Sequence, residues 1–388
     1  MAASESVPTK TREIQSTVTD HGWVAMVIAE ADVPAPLDNE VTVRIEAAPI
    51  NPSDLGTMFA RADLSTAQVI EGEEPGVRLE LSTALLASQA GRIGKSIPCG
   101  NEGGGVVIAA GSSDEAQALL GRTVGFVSGN SYAEYRTISV DQCFPMHAGT
   151  TTEQAAAPFV NPLTALGMVE TMRDEGHTAL VHTVGVSNLG LMLNRLCQAD
   201  GVALVNIVRR PDQAEQLRGL GADYVVDSSA DSFRDDLIAA LSATGATIAF
   251  DAIGGGDLAS TLLSSMEQVA NSNDEFNRYG SSTHKQVYIY GGLDQSPTTL
   301  RRSYGMSWGI GGWLLRPFLA RIGNQRADAL RRRVADEMTT TFASSYGAHL
   351  SLADVVDPVQ VKEYGRMATN KKALVTPHPD GHSTTNTS

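Results

Sequence analysis

The stretch HTVGVSNLG, residues 182–190, lies between two apolar runs and carries the residue types of a phosphate-binding turn. In a mononucleotide-binding βαβ unit, the turn after the first strand directs backbone N–H groups at a pyrophosphate beside a helix N-terminus. Glycines let that turn be tight and the ligand close, and the last of them must be small so that helix and strand can pack. Gly185 and Gly190 are present, which falls short of G-x-G-x-x-G. Gly190 suits the packing role. Ser187 and Asn188 are small and can donate side-chain hydrogen bonds to phosphate, with Leu189 opening the helix beside them. A strand–glycine–helix turn that binds nothing reads the same way; the βαβαβ rhythm around it favours a dinucleotide.

A site for NAD places Asp or Glu at the end of the second strand, about 20 residues on, where it accepts from the ribose hydroxyls. Here that strand ends Asn206-Ile207-Val208-Arg209-Arg210, and the first carboxylate is Asp212. Two guanidiniums suit a 2′-phosphate, which they grip bidentately. The alternative is a pair of solvated arginines at a helix start. Positive charge there is mildly unfavourable by itself, which favours an anionic partner. The expected cofactor is NADPH.

The elements that must hold these residues divide into two kinds. Residues 1–150 carry strand-like runs: WVAMVIAEADVP, EVTVRIEAAPINPSD, GGGVVIAAG, RTVGFVSG and YAEYRTIS. Residues 60–95 read as polar and irregular, an inserted loop or a helix near a cleft. From about residue 155, apolar strands alternate with helices: TALVHTV, VALVNIV, YVVD, ATIAFDAIGGG and QVYIYGGLD are the five strands. That alternation predicts a buried parallel sheet. Gly254 to Gly256 close the fourth strand, at the carboxyl edge where such sheets bind ligands.

The totals narrow the partners. A length of 388 residues suits two domains, and 42% hydrophobic with 19% charged residues describes a folded globular chain. The net charge of −15 argues against a nucleic-acid or acidic-membrane partner, which needs a basic face, and favours a small molecule. No apolar run approaches membrane-spanning length, and MAASESVPTKTREIQ lacks the apolar core of a signal peptide, so a cytoplasmic location is expected. Cys99, Cys143 and Cys197 form no C-x-x-C pair that could build a zinc lobe.

Several spaced motifs then carry a resemblance. APINPSD (48–54), GNEGGGVVIAAG (100–111), SYAEY (131–135), NPLTA (161–165), VYIYGGLD (287–294) and NKKALVTP (370–377) occur in this order along nearly the whole chain. The chain resembles the medium-chain dehydrogenase/reductase superfamily, in its zinc-independent quinone oxidoreductase and enoyl reductase branch. It departs from that pattern at the opening turn, where the family has more glycines. The resemblance implies an α/β fold: a Rossmann-type parallel-sheet domain at 156–320 and a mostly β, GroES-like catalytic domain built from 1–155 and completed by 321–388. The implied activity is an NADPH-dependent, metal-free hydride transfer to an activated C=C (enone or enoyl thioester) or to a quinone. The competing expectation is a non-catalytic NADPH-binding protein of the same fold.

The resemblance also implies site residues, each with a plainer alternative. Asn51 and Asp54 fall where the family lines its cleft, and Asn51 would donate to a substrate carbonyl; the alternative is an Asx-turn that stabilises the Asn-Pro-Ser-Asp loop. Tyr132 substitutes for a proton-donor tyrosine that residues 55–70 lack, or is a cross-strand core tyrosine. Thr164 lies near the nicotinamide, or is a helix-start hydroxyl. The backbone of Tyr290, Gly291 and Leu293 would hold the carboxamide. Lys371 and Lys372 reach the cofactor phosphate or stand in solvent. Cys99 is a cleft thiol or a buried inert one. Zinc-dependent relatives ligate the metal at the positions of Asn51 and Asn101, and neutral amides are poor zinc ligands, so no metal is expected. His182, in a buried strand, is expected to be a hydrogen-bonded core residue. The apolar stretch YGMSWGIGGWLLRPF, residues 304–318, implies a homodimer joined at a sheet edge, or inward packing of Trp313 against the chain's own helices.

Overall fold

A computed structural model describes residues 7–72, 75–273, 277–366 and 372–378. The chain forms two compact units: residues 1–160 with 331–388, and residues 161–330.

The first unit is built on strands β1 (Lys10–Val18), β2 (Trp23–Asp32), β3 (Glu40–Pro49), β4 (Gln68–Ile70), β5 (Gly76–Glu80), β6 (Ser96–Pro98), β7 (Glu102–Ala110), β8 (Thr123–Val127), β9 (Tyr135–Ser139) and β10 (Cys143–Pro145). Alternation drives them: β2 buries Val24, Met26 and Ile28 on one face. Five strands lie in the order β4-β5-β2-β1-β6. A second sheet takes two strands from the C-terminal segment, β17 (Ala348–Leu350) and β18 (Ala373–Val375), in the order β10-β8-β7-β3-β18-β17, with β9 also on β3. The late segment also enters the core: Leu352, Val355, Val361 and Tyr364 pack with Ile14, Met26, Met58 and Leu79.

Residues 60–95 carry a helix, Thr83–Ser88, one of the two expectations for this stretch, and differ from the other, an irregular loop. β4 pairs β5, and β5 pairs β2, so this stretch extends a sheet. β4 is three residues long and lies at the sheet edge, exposed at Gln68 and Val69, so it is too short to show a period. Strand β1 is a further difference: KTREIQSTV hides its pattern among charged and hydroxyl residues, of which Thr11, Glu13 and Ser16 are buried.

The second unit contains β11 (Ala179–His182), β12 (Ala203–Val208), β13 (Tyr224–Asp227), β14 (Ile248–Asp251), β15 (Lys285–Ile289) and β16 (Trp308–Gly312). They form one sheet in the order β13-β12-β11-β14-β15-β16, and every pairing is parallel. The order reverses between β11 and β14, which places a topological switch point at their carboxyl ends. Helices Phe233–Thr244 and Leu258–Asn273 bury Leu237, Leu241, Leu262 and Leu263 against Val181, Val205, Ala249 and Val287.

β16 is one of the two edge strands, β13 the other. Trp313, just beyond it, is 6% exposed; its Nε1 donates to Thr171 Oγ1 at 3.0 Å and its ring packs on Phe250 and Phe318. This corrects the reading of Trp313 as an interface residue, since burying the indole within the chain satisfies both its ring and its N–H. Leu314 and Met306 are the exposed apolar side chains of this region. Among the described residues no helix is long and apolar enough to cross a membrane.

Candidate active site

The turn after β11 runs from Thr183 into the helix Asn188–Asp200, which Ser187 caps by accepting from Gly190 N at 3.0 Å. The Ser187 hydroxyl proton stays available for donation. A Cβ on Gly190 would run into the Gly185 backbone, so close helix–turn packing requires a glycine there. Val184 adopts φ 58°, a left-handed conformation that is costly for a β-branched residue. The turn therefore keeps a tight path with fewer glycines than its pattern suggests. Asn188 is half-buried at the first helical position, and Leu189 is buried beneath it. These residues fit a pyrophosphate at the switch point, with the helix N-terminus behind it.

Arg209 and Arg210 are exposed at the end of β12. Arg210 donates from Nε and Nη2 to Asp212 at 2.9 and 3.1 Å. The next carboxylate along the chain is thus engaged by a guanidinium. On the other side of the switch point, the loops after β14 and β15 are stitched together. Tyr290 N donates to Asp251 O at 2.9 Å and Leu293 N to Ala252 O at 3.2 Å, and Gly291 lies so close to Ala252 that a side chain would not fit. Leu293 is 58% exposed. Thr164 is buried in the helix Val160–Asp174.

In the first unit, Asn51 caps the helix Pro52–Phe59, and its N–H donates to Asp54 Oδ2 at 2.8 Å in a capping box. The Asn51 side chain donates from Nδ2 to Glu102 Oε1 at 2.8 Å. Glu102 Oε2 accepts from Phe159 N and Val160 N at 2.7 and 2.9 Å. Asn101 Nδ2 donates to Asp54 Oδ1 at 2.8 Å. The Tyr132 hydroxyl donates to Pro49 O at 3.1 Å and lies beside Asp54. Among the described residues the Nζ of Lys372 has no hydrogen-bond partner; it is enclosed, 5.8 Å from the centre of the Tyr346 ring and in the field of Glu102 and Asp54.

Burial dominates the electrostatics of this cluster. It raises Asp54 to about 7, against hydrogen bonds that favour its ionised form and with Glu102 adding repulsion. Burial raises Glu102 too, opposed first by Lys372. The Lys372 ammonium is lowered to about 8 by burial, opposed by Glu102 and Asp54. The Cys99 thiol is buried and pushed up to about 12.

The structure therefore gathers Asn51, Asp54 and Tyr132 into one polar cluster, all three buried. Lys372 joins this cluster and does not stand in solvent; Lys371 lies outside the described residues. Ser187, Asn188, Leu189 and Gly190 form the turn after β11. Two features have weak sequence signals. Asp251 closes an apolar strand and receives Ile253 N and Gly254 N. His182, the last residue of β11, bonds the Tyr290 hydroxyl, so its place as a hydrogen-bonded core residue agrees with its apolar setting. Among the described residues no group of three or more His, Cys, Asp and Glu could hold a metal.

No family model matches the chain. A mitochondrial enoyl-[acyl-carrier-protein] reductase of Xenopus tropicalis is 28% identical over 216 residues, 53% of each chain. The synaptic vesicle membrane protein VAT-1 homolog of Rattus norvegicus is 28% identical over 162 residues, 41% of this chain and 40% of that one. The chain thus spans about half the length of the curated relatives it matches. A solved structure of a candidate NADPH:quinone reductase from Mesorhizobium loti superposes over 96% of this chain and 100% of its own, with a TM-score of 0.70 and 24% identity. These relatives and structural neighbours are medium-chain dehydrogenase/reductase family members, and the chain has their fold. At that level of identity the solved structure speaks for the fold alone. The medium-chain dehydrogenase/reductase architecture accounts for the parallel six-stranded sheet in one unit and the β-rich companion with its C-terminal strands in the other.

Proposed function

We propose that this chain is an NADPH-dependent, metal-free reductase that transfers hydride to an activated C=C, as in an enone or enoyl thioester, or to a quinone. The observation that carries the reading is the turn after β11: Gly190 pressed on Gly185, a capped helix N-terminus and a switch point beside it, in a chain whose relatives include an enoyl reductase. NADPH, when bound, supplies the hydride. The N–H groups at the start of the helix Asn188–Asp200, with Ser187 and Asn188, bind and orient the pyrophosphate. Arg209 meets the 2′-phosphate, and Arg210 joins it on leaving Asp212. The loop Tyr290–Leu293 positions the far nucleotide, and Thr164 supports the same end.

In the first unit, Asp54 is the group able to hold a proton near neutral pH, because burial raises it to about 7. Asn101 and the Asn51 N–H fix its two oxygens, with the Tyr132 hydroxyl beside them. Asn51 positions Glu102 and the loop at the start of its helix. Lys372 acts as the counter-charge of Glu102 rather than as a phosphate ligand. A carbonyl conjugated to the reacting C=C delocalises the charge that hydride addition creates, so hydrogen bonds suffice where alcohol oxidation needs a Lewis acid. We also infer a small-molecule substrate and a homodimer joined near β16.

A second reading, a non-catalytic NADPH-binding protein, is favoured by the burial of Asn51, Asp54 and Tyr132. NADPH oxidation with a panel of enones, quinones and enoyl thioesters separates the two. Turnover on any of them supports the reductase; tight NADPH binding without turnover across the panel supports the second reading.

A further inference from the structure

At the carboxyl edge of the parallel sheet, two side chains reach each other across the end of β14. His182 Nε2 and the Tyr290 hydroxyl are 2.7 Å apart, and their rings stack with centroids 5.9 Å apart. His182 is fully buried, and burial pushes its pKa down to about 3, so the imidazole is neutral. Among the described residues its Nδ1 has no partner, which leaves Tyr290 as the ring's hydrogen-bond partner there.

The bond closes a circuit. Next to His182, Thr183 Oγ1 donates to Asp251 Oδ1 at 3.2 Å and accepts from Ala252 N at 2.8 Å. The Asp251 carboxylate accepts from Ile253 N and Gly254 N at 2.9 and 3.1 Å, and its carbonyl accepts from Tyr290 N at 2.9 Å. From Tyr290 the side chain returns to His182. The circuit joins the start of the phosphate turn to both loops beyond the switch point.

In a sheet of this order a dinucleotide lies across the switch point, one half toward the second strand and the other over the strands beyond the reversal. Arg209 and Arg210 mark the end of β12 as the place of the phosphorylated adenosine half. The loops after β14 and β15 then receive the other half. Main-chain bonds and the side chains of Ser296 and Thr298 hold those loops to each other; the side-chain links from the β11 side are Thr183 to Asp251 and Ala252, and His182 to Tyr290.

We propose that His182 and Tyr290 are positioning residues: their hydrogen bond clasps the loop after β15 to the phosphate turn and thereby sets affinity for the second half of the dinucleotide. This rests on the NADPH reading above. The clasp acts before ligand arrives, so the loop is ordered once, on folding, and binding need not order it again.

The test compares NADPH with 2′,5′-ADP, which carries the adenosine half alone, by calorimetric titration of the full chain. Tyr290→Phe keeps the stacked ring and removes the hydroxyl. It should weaken NADPH about 5- to 10-fold and leave 2′,5′-ADP within about 2-fold, the scale of one lost hydrogen bond. His182→Leu should do the same. His182→Gln, whose amide nitrogen reaches toward the place of Nε2, should restore NADPH affinity to within about 2-fold of the original. Equal losses for both ligands, or no loss of NADPH affinity in Tyr290→Phe, overturn the clasp. Should His182→Leu fail to fold, Tyr290→Phe decides. A wild-type chain that binds neither ligand overturns the cofactor reading itself, which is a different result from an unselective variant.

Discussion

Gly190 lies against Gly185 so closely that a Cβ on Gly190 would overlap the Gly185 carbonyl. Backbone cannot yield as a flexible side chain can, so the first turn of the helix would have to move away from the strand. Gly190→Ala should cost about 1–3 kcal/mol of stability by overpacking and weaken NADPH binding at least about tenfold. Gly219→Ala, on a helix where nothing lies within 4 Å of the added carbon, is the control and should be neutral or slightly stabilising. Urea unfolding and NADPH titration of both variants check this.

The arginines at the end of β12 make different predictions, because one is already paired. Arg210 holds Asp212, while Arg209 lies exposed beside it. Arg209→Ala should weaken NADPH about 10-fold or more and leave NADH nearly unchanged, the worth of a charge-assisted hydrogen bond. Asp212→Ala frees Arg210 and should tighten NADPH a few-fold. Loss of NADH and NADPH affinity in equal measure would place the 2′-phosphate elsewhere.

The buried cluster makes stability depend on pH with a definite sign. The folded chain raises Asp54 from 3.8 to about 7, so it holds that proton more tightly than the unfolded chain does. Stability from this group is fully present below about pH 4 and falls as pH rises to about 7. Asp54→Asn removes the fall, so the variant should gain on the wild type by a few kcal/mol across that window. Lys372 runs the other way: it is lowered from 10.5 to about 8, so wild-type stability should rise between those pH values relative to Lys372→Met. Denaturant midpoints measured from pH 4 to 10 read both slopes.

Metal content is a separate matter from substrate. Asn51 and Asn101 donate to Glu102 and Asp54, which ties both amides into the cluster. Purified protein should carry no stoichiometric zinc, and a chelator should leave activity unchanged. About one zinc per chain, with activity lost on chelation, would reverse this assignment.

Trp313 and Leu314 are adjacent but should behave differently. Trp313 is packed inside with its N–H satisfied, so Trp313→Glu should destabilise the fold by about 3 kcal/mol or more. Leu314 is 64% exposed, so Leu314→Glu should leave the melting temperature near its original value and shift the proposed dimer toward monomer. Sedimentation at micromolar concentration measures the second effect, and a wild-type monomer there rejects the dimer.

Local patterns determined much of this protein. Apolar runs of strand length between helices specify five of the six parallel strands, because a strand buried on both faces must be apolar throughout; β16, WGIGG, lies at the edge and shows no such run. The turn at 182–190 was legible for the same reason: strand, small residues and helix are consecutive in sequence. The missing carboxylate at the end of β12 could be read directly as well. Strands β1 and β4 were not, because β1 buries hydroxyl and charged residues in its pattern and β4 is three residues long, too short to show a period. Tertiary structure alone decided the polar cluster. Asn51, Glu102 and Lys372 are far apart in sequence, and only the pairing of β18 with β3 brings the last of them into the first unit's core. It also decided that Trp313 faces inward, since a tryptophan beside a sheet edge suits an interface or a core until its N–H finds Thr171. The bond between His182 and Tyr290 belongs to the same kind: it joins the ends of two strands on either side of β14, 108 residues apart along the chain, and is set by sheet order and by nothing local.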